Sequence, residues 1–570
     1  MPSTAADPPP TRDREVAGVD VGGTFTDVVL LADRPRAVKV PTTPRDQGEG
    51  VVVGLRTAAS RGSEDELASV AHGTTTATNA VLERTTARTV LVTTEGFADV
   101  LAIARQDRPS LYDLRVVRPA HLAEHVVTVR ERTAPDGSAT ESLTDAEVAR
   151  VADAAAALDP EAVAVSLLFA YAGPEHERRL AAALAGRLDV PITTSSALLP
   201  EFREYERAST CVLNAAVAPV MRRYLGGLTD RLPGAAITVM TSGGGTAGLD
   251  FCADAPVHTL LSGPAAGVVA AGEVARASGF AEAVAFDMGG TSTDVCLIRG
   301  GRPEIATEAA IAGLPFRTPA VAIHTVGAGG GSIASIDRGG ALQVGPRSAG
   351  ARPGPACYGH GGTEPTVTDA HSALGHLDPE RELGGGLTLD RDAAEAALAT
   401  LPDEADAHGV LEVVRATMVR ALRRVSTERG VDPAGLVLVA YGGAGPLHAS
   451  ALARELGCAA VVIPRRRGCC PRSACCSRRC GTRRCARSWP TRTRTSTRSG
   501  TSWRPRGGRS SPVSVPALHL PPGVWPTAGM RGSRTSCASS SNAGTMSLRG
   551  STPPTRPSTV TRRQTSRSRS

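Results

Sequence analysis

The chain has 570 residues, which is enough for several domains with buried cores. Its formal net charge of +7 averages two unlike parts. From Arg465 to Ser570 there are 23 Arg and no Lys, Asp or Glu, so the first 464 residues hold 40 of the 63 basic groups and all 56 acidic groups, a net of −16. An acidic body excludes the broad basic surface that is typical of nucleic-acid-binding proteins.

The first residues and the apolar stretches show neither an export pattern nor a membrane pattern. Residues 1–14 are rich in Pro and lack the apolar centre of a signal peptide, so we expect a disordered extension there. The longer apolar stretches are interrupted by charges, as Ala154 to Tyr171 is by Asp159 and Glu161, which predicts no transmembrane span. The five cysteines of the first 464 residues are scattered, as in a reduced protein. We therefore expect a cytoplasmic protein.

One octapeptide pattern occurs twice, as Asp20–Asp27 (Asp-Val-Gly-Gly-Thr-Phe-Thr-Asp) and as Asp287–Asp294 (Asp-Met-Gly-Gly-Thr-Ser-Thr-Asp). Six of the eight positions agree, and each copy lies between two apolar runs, which predicts strand, tight Gly-Gly turn and strand. Glycine lets backbone N–H groups approach an anion, Thr hydroxyls add donors, and an Asp at the strand end can hold a hydrated divalent cation. The alternative is that these are two ordinary Gly-Gly hairpins. A matched pair supports this alternative less than a single copy would. Two such hairpins facing each other would hold a polyphosphate from both sides.

Strands and helices alternate through the body, which predicts an α/β fold with mainly parallel sheets. Thr144 and Glu147 have the spacing of a capping box at a helix start. A domain boundary is expected near Arg203, followed by a long helix from Glu206 to Tyr224 whose small residues permit close packing. The other predicted elements in this part are a helix through 157, a strand over 162–169, a helix over 174–188 and a strand over 191–194.

Three further Gly-rich segments follow in the second half. Leu261–Gly267 opens a predicted helix, whose first amides can meet an anion or simply begin the helix. Val326–Ser332 is dense in Gly and requires either a close backbone approach or unusual φ angles. Tyr441–Pro446 lies between the predicted strand 437–440 and the predicted helix 447–456, a junction that can pass close to a flat nucleoside but is common by itself.

These segments together carry a family resemblance. The two Asp-x-Gly-Gly-Thr hairpins, the small-residue helix between them and the late Gly-Gly-Ala-Gly resemble the actin/Hsp70/sugar-kinase ATPase superfamily. More narrowly, the chain resembles the hydantoinase A/5-oxoprolinase family over about residues 15 to 468. The matching segments are 18–27, 72–79, 324–332, 354–359, 368–370 and 441–448.

The resemblance implies two actin-like ATPase (ribonuclease H-like) domains around a nucleotide cleft, at 15–203 and 204–468. It implies that ATP and Mg²⁺ are bound, with Asp20 and Asp287 as catalytic residues and Asp20 as the metal residue. Asp287 would lie near the metal or the attacking group. The implied ATP-binding residues are Gly22, Gly23, Thr24 and Thr26 in the first hairpin, Gly289, Gly290, Thr291 and Thr293 in the second, and Gly442, Gly443 and Gly445 beside adenosine.

Three other polar residues are candidate substrate contacts. His72 precedes a Thr-rich segment and either lines the substrate site or has a structural role at a strand end. Arg105 can bind an anionic group of the substrate or form a surface ion pair. His324 lies beside a glycine loop, where a packing role is equally compatible with the sequence. Cys357 is expected to be a small buried residue and not a nucleophile.

The family resemblance leaves three function classes. The favoured one is an ATP-hydrolysing subunit that phosphorylates a cyclic amide of the 5-oxoproline or hydantoin type to drive ring opening. The second is a subunit of an ATP-dependent ketone carboxylase of the acetone or acetophenone type, and the third is a non-catalytic ATP-binding protein of the actin/Hsp70 type. For either enzyme the implied partner is a hydantoinase B-like subunit, with no nucleic acid and no membrane.

The Arg-rich segment 469–570 differs from the body in composition. A nucleic-acid arm, a metal site and a disulfide cluster are possible explanations, but its cysteines lack paired Cys-x-x-Cys spacing. A shifted reading frame fits better: GC-rich DNA that encodes Val-Leu-Ser-Ala-Leu-Gly-Leu-Leu-Leu, which resembles how family members continue, encodes Cys469 to Ser477 when it is read one base later. We therefore expect a frameshifted, disordered tail that impairs activity.

Resequencing the DNA around codon 468 tests this expectation. A one-base correction is predicted to open a frame that begins Val-Leu-Ser-Ala-Leu-Gly-Leu and regains acidic residues. On the present chain, trypsin should cut back to near Arg465 and remove all three Trp. Early stops in the other frames, or a protease-resistant tail, would show that the Arg-rich terminus is authentic.

Overall fold

The computed structural model describes residues 15–22, 25–31, 36–43, 46–59, 67–107, 112, 115, 119–380, 387–402 and 405–464. These residues form a mixed α/β fold. Residues 1–14 and 469–570, with the expectations of disorder and of a shifted frame, lie outside the described residues. No helix among the described residues is long and apolar enough to cross a membrane.

The strands of the described residues are numbered in chain order. They are β1 (Glu15–Val21), β2 (Phe25–Leu31), β3 (Arg36–Pro41), β4 (Leu67–Thr74), β5 (Thr89–Thr94), β6 (Ala123–Val129), β7 (Arg132–Thr133), β8 (Ala139–Glu141), β9 (Ala162–Ser166), β10 (Ile192–Thr194), β11 (Ala236–Met240), β12 (Thr246–Gly248), β13 (Ala283–Met288), β14 (Thr293–Arg299), β15 (Arg302–Pro303), β16 (Ile305–Ala306), β17 (Ala309–Ile311), β18 (Leu314–Phe316), β19 (Ala320–Val321), β20 (His324–Val326), β21 (Ser332–Ile336), β22 (Leu342–Ser348), β23 (Val437–Tyr441) and β24 (Ala460–Val462).

The α-helices are numbered in the same way. They are α1 (Gln47–Ala58), α2 (Thr76–Leu82), α3 (Val100–Ile103), α4 (Asp145–Ala156), α5 (Glu175–Ala185), α6 (Ser195–Leu198), α7 (Glu204–Arg231), α8 (Leu249–Asp254), α9 (Ser262–Ala277), α10 (Val367–Ala373), α11 (Arg391–Leu398), α12 (Ala407–Val425) and α13 (Gly445–Leu456).

Two of the sheets have the same strand arrangement. The first has the order β12-β11-β4-β1-β2-β3, in which β1, β2 and β3 are antiparallel to one another in sequence, β1, β4 and β11 are parallel, and β12 is antiparallel to β11. The second has the order β15-β14-β13-β23-β24, with β13 and β14 antiparallel and β13, β23 and β24 parallel. Each repeated octapeptide thus joins the first two strands of its sheet, which confirms the two predicted hairpins.

The two hairpins also share their register. In the first hairpin, β1–β2, Asp20 lies opposite Asp27; in the second hairpin, β13–β14, Asp287 lies opposite Asp294. Opposite residues of an antiparallel pair project from the same face of the sheet. The two Asp residues of each octapeptide are therefore neighbours on one face in both copies.

Helix α9 packs between these two sheets. Its Ala- and Gly-rich sequence leaves short side chains, and its buried residues join one apolar cluster with residues of β4 and β11 on one side and of β13 and β23 on the other. The helix begins at Ser262, which confirms the prediction from the Leu261–Gly267 segment. A third sheet, β10-β9-β5-β6, is parallel throughout and has its own apolar cluster with α4 and α5.

Local predictions differ from the structure mainly at element ends. The long helix α7 extends beyond the predicted range in both directions, to Glu204 and Arg231. Thr144 caps α4 by accepting from the Glu147 backbone N–H at 3.2 Å. The reciprocal half of the predicted capping box is absent, because the Glu147 carboxylate instead accepts from the Arg150 guanidinium and the Arg130 backbone N–H.

Helices α10 and α13 are joined by a chain of histidines. Nδ1 of His371 lies 2.9 Å from Nδ1 of the exposed His376, and its Nε2 lies 3.2 Å from Nε2 of His448. His371 and His448 are buried. Burial, and for His371 next the imidazole of His448 and then that of His376, lowers the pKa of His371 to about 3. Burial, followed by the charge of Arg415 and by His376, lowers the pKa of His448 to about 4.

These pKa values predict a loss of stability in acid. A buried imidazole whose pKa lies below its unfolded value binds fewer protons than the unfolded chain, so its contribution is complete above pH 6.5 and is lost as the pH falls toward 4. For His448 the expected loss between pH 7.5 and pH 5 is about 2 kcal/mol. Denaturant unfolding of the wild type and of His448→Gln at both pH values measures it, and the variant should lose less stability in acid.

Exposed His408 provides the control for this experiment. The variant His408→Gln should retain the full pH dependence of the wild type. Equal acid losses in His448→Gln and in the wild type would contradict the assignment.

Candidate active site

The first hairpin presents Asp20 at the end of β1. The parallel strand β4 places Gly73 directly beside it, and a Cβ at Gly73 would lie 2.9 Å from Oδ1 of Asp20. On the same face Asp27 accepts from the ammonium group of Lys39 at 3.0 Å. Asp20 thus lies near the end of β1, beside Gly73 on β4 and opposite Asp27, whose carboxylate is paired with Lys39.

The turn of the first hairpin is described only in part. Gly22 accepts at its carbonyl from the Thr42 hydroxyl at 2.8 Å. Thr26 is buried, and its hydroxyl lies 3.2 Å from that of Thr42. The predicted phosphate ligands Gly23 and Thr24 lie outside the described residues, and phosphate contact by the Gly22 amide or the Thr26 hydroxyl stays a prediction.

The Thr-rich segment after β4 contacts the first hairpin. The Thr75 hydroxyl donates to the Val21 carbonyl at 3.0 Å. The Thr78 hydroxyl accepts from the Leu261 backbone N–H at 3.0 Å, at the start of α9. A Cβ at Gly263, in the first turn of α9, would lie 4.0 Å from Oδ1 of Asp20. The positive end of this helix is therefore close to the Asp20 carboxylate.

The turn of the second hairpin is described throughout. The Gly289 N–H donates to the Ser292 carbonyl at 3.0 Å and closes the turn. A Cβ at Gly290 would meet nothing within 4 Å, so this position faces open space. Thr293 is buried and its hydroxyl donates to the Ala328 carbonyl at 2.5 Å. Phosphate contact by Thr293, and by Gly289, Gly290 and Thr291, stays a prediction; of these residues, Gly290 and Thr291 are exposed.

A glycine loop, Gly327–Gly331, lies against this turn. The Gly330 N–H donates to the Gly289 carbonyl at 2.9 Å, and the Gly331 N–H donates to the Gly290 carbonyl at 2.6 Å. A Cβ at Gly329 would lie 2.6 Å from the backbone of Gly290, a separation that no side chain permits. Of the two requirements that the sequence left open for this segment, the structure shows close backbone approach.

The loop Gly442–Gly445, after β23, packs on the other side of the second hairpin. Gly442 has a φ of +80°, and a Cβ there would overlap the Asp287 carboxylate and the Met288 carbonyl. The Ala444 N–H donates to the Met288 carbonyl at 2.9 Å. A Cβ at Gly443 would meet nothing within 4 Å. The loop therefore contacts the end of β13, while the adenosine contacts expected of Gly442, Gly443 and Gly445 remain predictions.

The two octapeptides are electrostatically coupled although they are far apart in sequence. Burial raises the pKa of Asp287 to about 7, and the charges of Asp294 and then of Asp20 add to the effect. The pKa of Asp294 is also raised by burial, although it accepts from the Thr325 hydroxyl at 2.6 Å. Carboxylates from both hairpins thus share one region of negative potential.

This region fits a hard divalent cation. Mg²⁺ prefers oxygen ligands and is typically held by one or two carboxylates together with substrate phosphates, and Asp20 and Asp287 provide such oxygens. A cation there would offset the repulsion that raises the pKa of Asp287. Within the described part of the chain, no group of three or more His, Cys, Asp or Glu residues is arranged to hold a metal by itself.

The three candidate substrate residues lie in different environments. His72 is buried in the first sheet, with Nε2 at 2.7 Å from the Tyr224 hydroxyl, and burial lowers its pKa to about 4. Arg105 forms a two-point ion pair with Glu206, both N–O distances being 2.6 Å. His324 is half-buried on β20, where burial and then the charge of Arg424 lower its pKa. His72 and Arg105 thus have structural partners, but His72 lies within β4 and not at its end, and the Arg105 ion pair has a buried carboxylate and not a surface one. The substrate roles of all three residues stay predictions.

Two contributors to this site were not singled out from the sequence. Gly73 lies within the matching segment 72–79 but was not predicted as a site residue. Its position on a strand parallel to β1 makes it the neighbour of Asp20. Thr368 donates both its N–H and its hydroxyl to the Gly330 carbonyl, each at 2.7 Å. Only the pairing of distant segments reveals these contacts, so spacing in the sequence carries no signal for them.

Comparison with known families covers nearly all of the described residues. Residues 16–187 match the hydantoinase/oxoprolinase N-terminal region, and residues 207–476 match the hydantoinase/oxoprolinase family itself.

Among curated relatives, the caprolactamase subunit alpha of Pseudomonas jessenii is 38% identical over 474 residues, which cover 79% of this chain and 68% of the relative. The acetophenone carboxylase gamma subunit of Aromatoleum aromaticum is 34% identical over 78% of this chain and 65% of its own length. The 5-oxoprolinase 1 of Arabidopsis thaliana is 33% identical over 78% of this chain but only 40% of that larger protein.

Solved structures agree with these matches. The ATP-dependent caprolactamase from Pseudomonas jessenii superposes with a TM-score of 0.71 at 36% identity, over 79% of this chain and 68% of that one. A nucleotide-free acetone carboxylase, whose acetone carboxylation is ATP-dependent, superposes with a TM-score of 0.69 at 28% identity, over 82% of this chain and 70% of that one. The repeated hairpins, the glycine loop and the extent of these matches together show that the chain belongs to the hydantoinase/oxoprolinase family.

Proposed function

We propose that this chain is the ATP-binding subunit of an enzyme that phosphorylates the carbonyl oxygen of a cyclic amide to drive ring opening. The observation that carries the proposal is the pair of matched Asp-x-Gly-Gly-Thr hairpins, which share their register and belong to two sheets that both pack against helix α9. Phosphoryl transfer depends on positioning and on neutralising charge around the phosphates, and a two-sided hairpin site is suited to both.

The repeated sheet supports two actin-like ATPase (ribonuclease H-like) domains, with a nucleotide between them. Each sheet has three antiparallel strands and then two parallel ones, and each begins with an octapeptide hairpin. We assign the first domain to residues 15–203 and the second to 204–468. The helix α9 between the two sheets makes contacts with both of them.

In the proposed complex, the turn amides of both hairpins donate to the phosphates of ATP. The open face at Gly290 gives phosphate oxygens access to the backbone of the second turn. The open face at Gly443 gives adenosine access to the loop after β23. Asp20 would hold Mg²⁺ through water with Asp287 nearby, and the ion would supply positive charge to the phosphate oxygens during transfer.

The proposed reaction has three steps. The amide oxygen attacks the γ-phosphorus of ATP, so that a new P–O bond forms while the bond from the γ-phosphorus to the β,γ-bridging oxygen breaks and ADP leaves. Water then attacks the activated carbon, the C–N bond of the ring breaks and the amide nitrogen takes up a proton, which leaves an acyl phosphate. A second water attacks the carbonyl carbon of the acyl phosphate, the C–O bond to phosphate breaks, and inorganic phosphate leaves with the former carbonyl oxygen. Hydrolysis of ATP thereby drives the opening of an otherwise stable amide.

Sequence similarity favours a cyclic amide over a ketone as the substrate. The caprolactamase subunit is more similar to this chain than either carboxylase subunit in identity, at a comparable share of the chain. A ketone carboxylase remains the second candidate because the acetophenone carboxylase gamma subunit matches the same share of the chain as 5-oxoprolinase 1. A non-catalytic ATP-binding role of the actin/Hsp70 type is the least supported, since the caprolactamase and acetone carboxylase structures described above belong to ATP-dependent enzymes.

A second subunit is part of the proposal. The caprolactamase and acetophenone carboxylase relatives are named as single subunits, alpha and gamma, of their enzymes. We assign the attack of water on the activated amide to a hydantoinase B-like partner, and we place the assembled enzyme in the cytoplasm. His72, Arg105 and His324 are retained as candidate substrate contacts, of which Arg105 is half exposed.

An isotope experiment tests the reaction directly. The chain, assembled with its hydantoinase B-like partner, is given Mg²⁺-ATP and 5-oxoproline, hydantoin or caprolactam labelled with ¹⁸O at the carbonyl. Each ring opening should place one ¹⁸O in inorganic phosphate, because the substrate oxygen leaves with the phosphoryl group. Asp20→Asn should lower coupled turnover on the order of 10²-fold, a loss of about 3 kcal/mol of transition-state stabilisation.

Asp136 offers a matched control, because its carboxylate accepts from Ser138 within an exposed turn. Asp136→Asn should leave labelled phosphate unchanged. Coupled ring opening with unlabelled phosphate would contradict the proposed route, in which phosphate leaves with the substrate oxygen. Turnover only with a labelled ketone and bicarbonate would favour the carboxylase.

A further inference from the structure

Helix α10 begins at buried residues that contact the glycine loop. Thr366 caps the helix, and the buried Asp369 carboxylate accepts from the Thr366 N–H and hydroxyl and from the N–H groups of Ala356 and Cys357. A carboxylate with four donors is held firmly in place. Thr368, between these two residues, is consequently fixed relative to the glycine loop.

Thr368 makes a double contact with the loop. Its backbone N–H and its hydroxyl both donate to the Gly330 carbonyl, each at 2.7 Å. That carbonyl therefore has both acceptor positions filled from one side. The N–H groups of Gly330 and Gly331 point the other way. They donate to the Gly289 and Gly290 carbonyls of the second hairpin, respectively.

These bonds determine where the turn amides point. Both peptide bonds of the turn are trans, because the cis bonds among the described residues are confined to two X-Pro pairs. In a trans peptide the carbonyl and the N–H of the next residue point in opposite directions. With the carbonyls of Gly289 and Gly290 drawn to the glycine loop, the N–H groups of Gly290 and Thr291 are directed away from it, on the side from which a phosphate must approach.

We propose that Thr368 is a positioning residue for the phosphate-binding turn. It holds the glycine loop on the carbonyl side of the turn and thereby orients the amides of Gly290 and Thr291 toward an anion. The inference rests on the proposed function for its consequence, nucleotide affinity, but the holding contact itself can be measured without nucleotide. Thr368 touches no reacting atom in this arrangement and acts on the turn through Gly330, while its side chain also has a hydrogen-bond contact with Tyr358.

The test compares Thr368→Val, which keeps the shape of the side chain and removes the hydroxyl, with Thr368→Ser, which keeps the hydroxyl. In nucleotide-free protein, hydrogen exchange of the Gly330 and Gly331 amides should be faster in Thr368→Val and unchanged in Thr368→Ser. The Kd for Mg²⁺-ATP, measured by calorimetry, should rise about tenfold in the Val variant and less than about twofold in the Ser variant. The thermal midpoint of the nucleotide-free protein should be close to that of the wild type in both.

Two outcomes would overturn the proposal. One is exchange at Gly330 and Gly331 that is the same in all three proteins. The other is faster exchange with an unchanged Kd for ATP, which would make Thr368 a structural residue only. If the wild type itself binds no ATP, the proposed function fails, and the exchange comparison still decides whether Thr368 holds the loop.

Discussion

The site depends on one constraint, which is that a turn of backbone must keep its N–H groups free for an anion while its carbonyl groups are bonded elsewhere. In the second hairpin the glycine loop meets that constraint, because the N–H groups of Gly330 and Gly331 occupy the carbonyls of the turn. Two backbones can approach this closely only where side chains are absent, as at Gly329. The density of Gly in this segment, the position of α10 behind it and the course of β20 and β21 on either side all follow from this approach.

The two hairpins share a register but are supported by different means. The first is contacted by Thr75, whose hydroxyl donates to the Val21 carbonyl, and the nearby Thr78 hydroxyl accepts from the start of α9. The second rests on the glycine loop and on the loop after β23, almost entirely through backbone contacts. Asp27 is paired with a lysine, whereas Asp294 has a threonine partner and a pKa raised by burial. The two copies of the octapeptide therefore have different electrostatic environments, and in the second copy burial raises the pKa of Asp287 to about 7.

Much of the fold was predictable because its local signals are strong. The two octapeptides lie between apolar strands, and the start of α9 and the strand–glycine–helix junction after β23 were both located to within a few residues. The side-chain environments were harder to predict from the sequence. Glu147 was expected to complete a capping box, but Arg150 and the Arg130 N–H compete for its carboxylate. Pairing between distant strands brings Gly73 to Asp20, and packing between distant segments brings Thr368 to Gly330, and neither relation can be obtained from spacing along the chain.

The central claim, that the backbone of the second hairpin turn binds the phosphates of ATP, is tested most directly at Gly290. A valine there has open space in the protein itself, so Gly290→Val should fold normally and yet block the approach of phosphate to the turn. Gly248→Val is the matched control, since Gly248 also has open space around its Cβ position and lies at the edge of the first sheet. Calorimetric titration with Mg²⁺-ATP should show affinity lowered by about 10²-fold or more in Gly290→Val, and wild-type affinity in Gly248→Val. Wild-type affinity in a well-folded Gly290→Val protein would contradict the account.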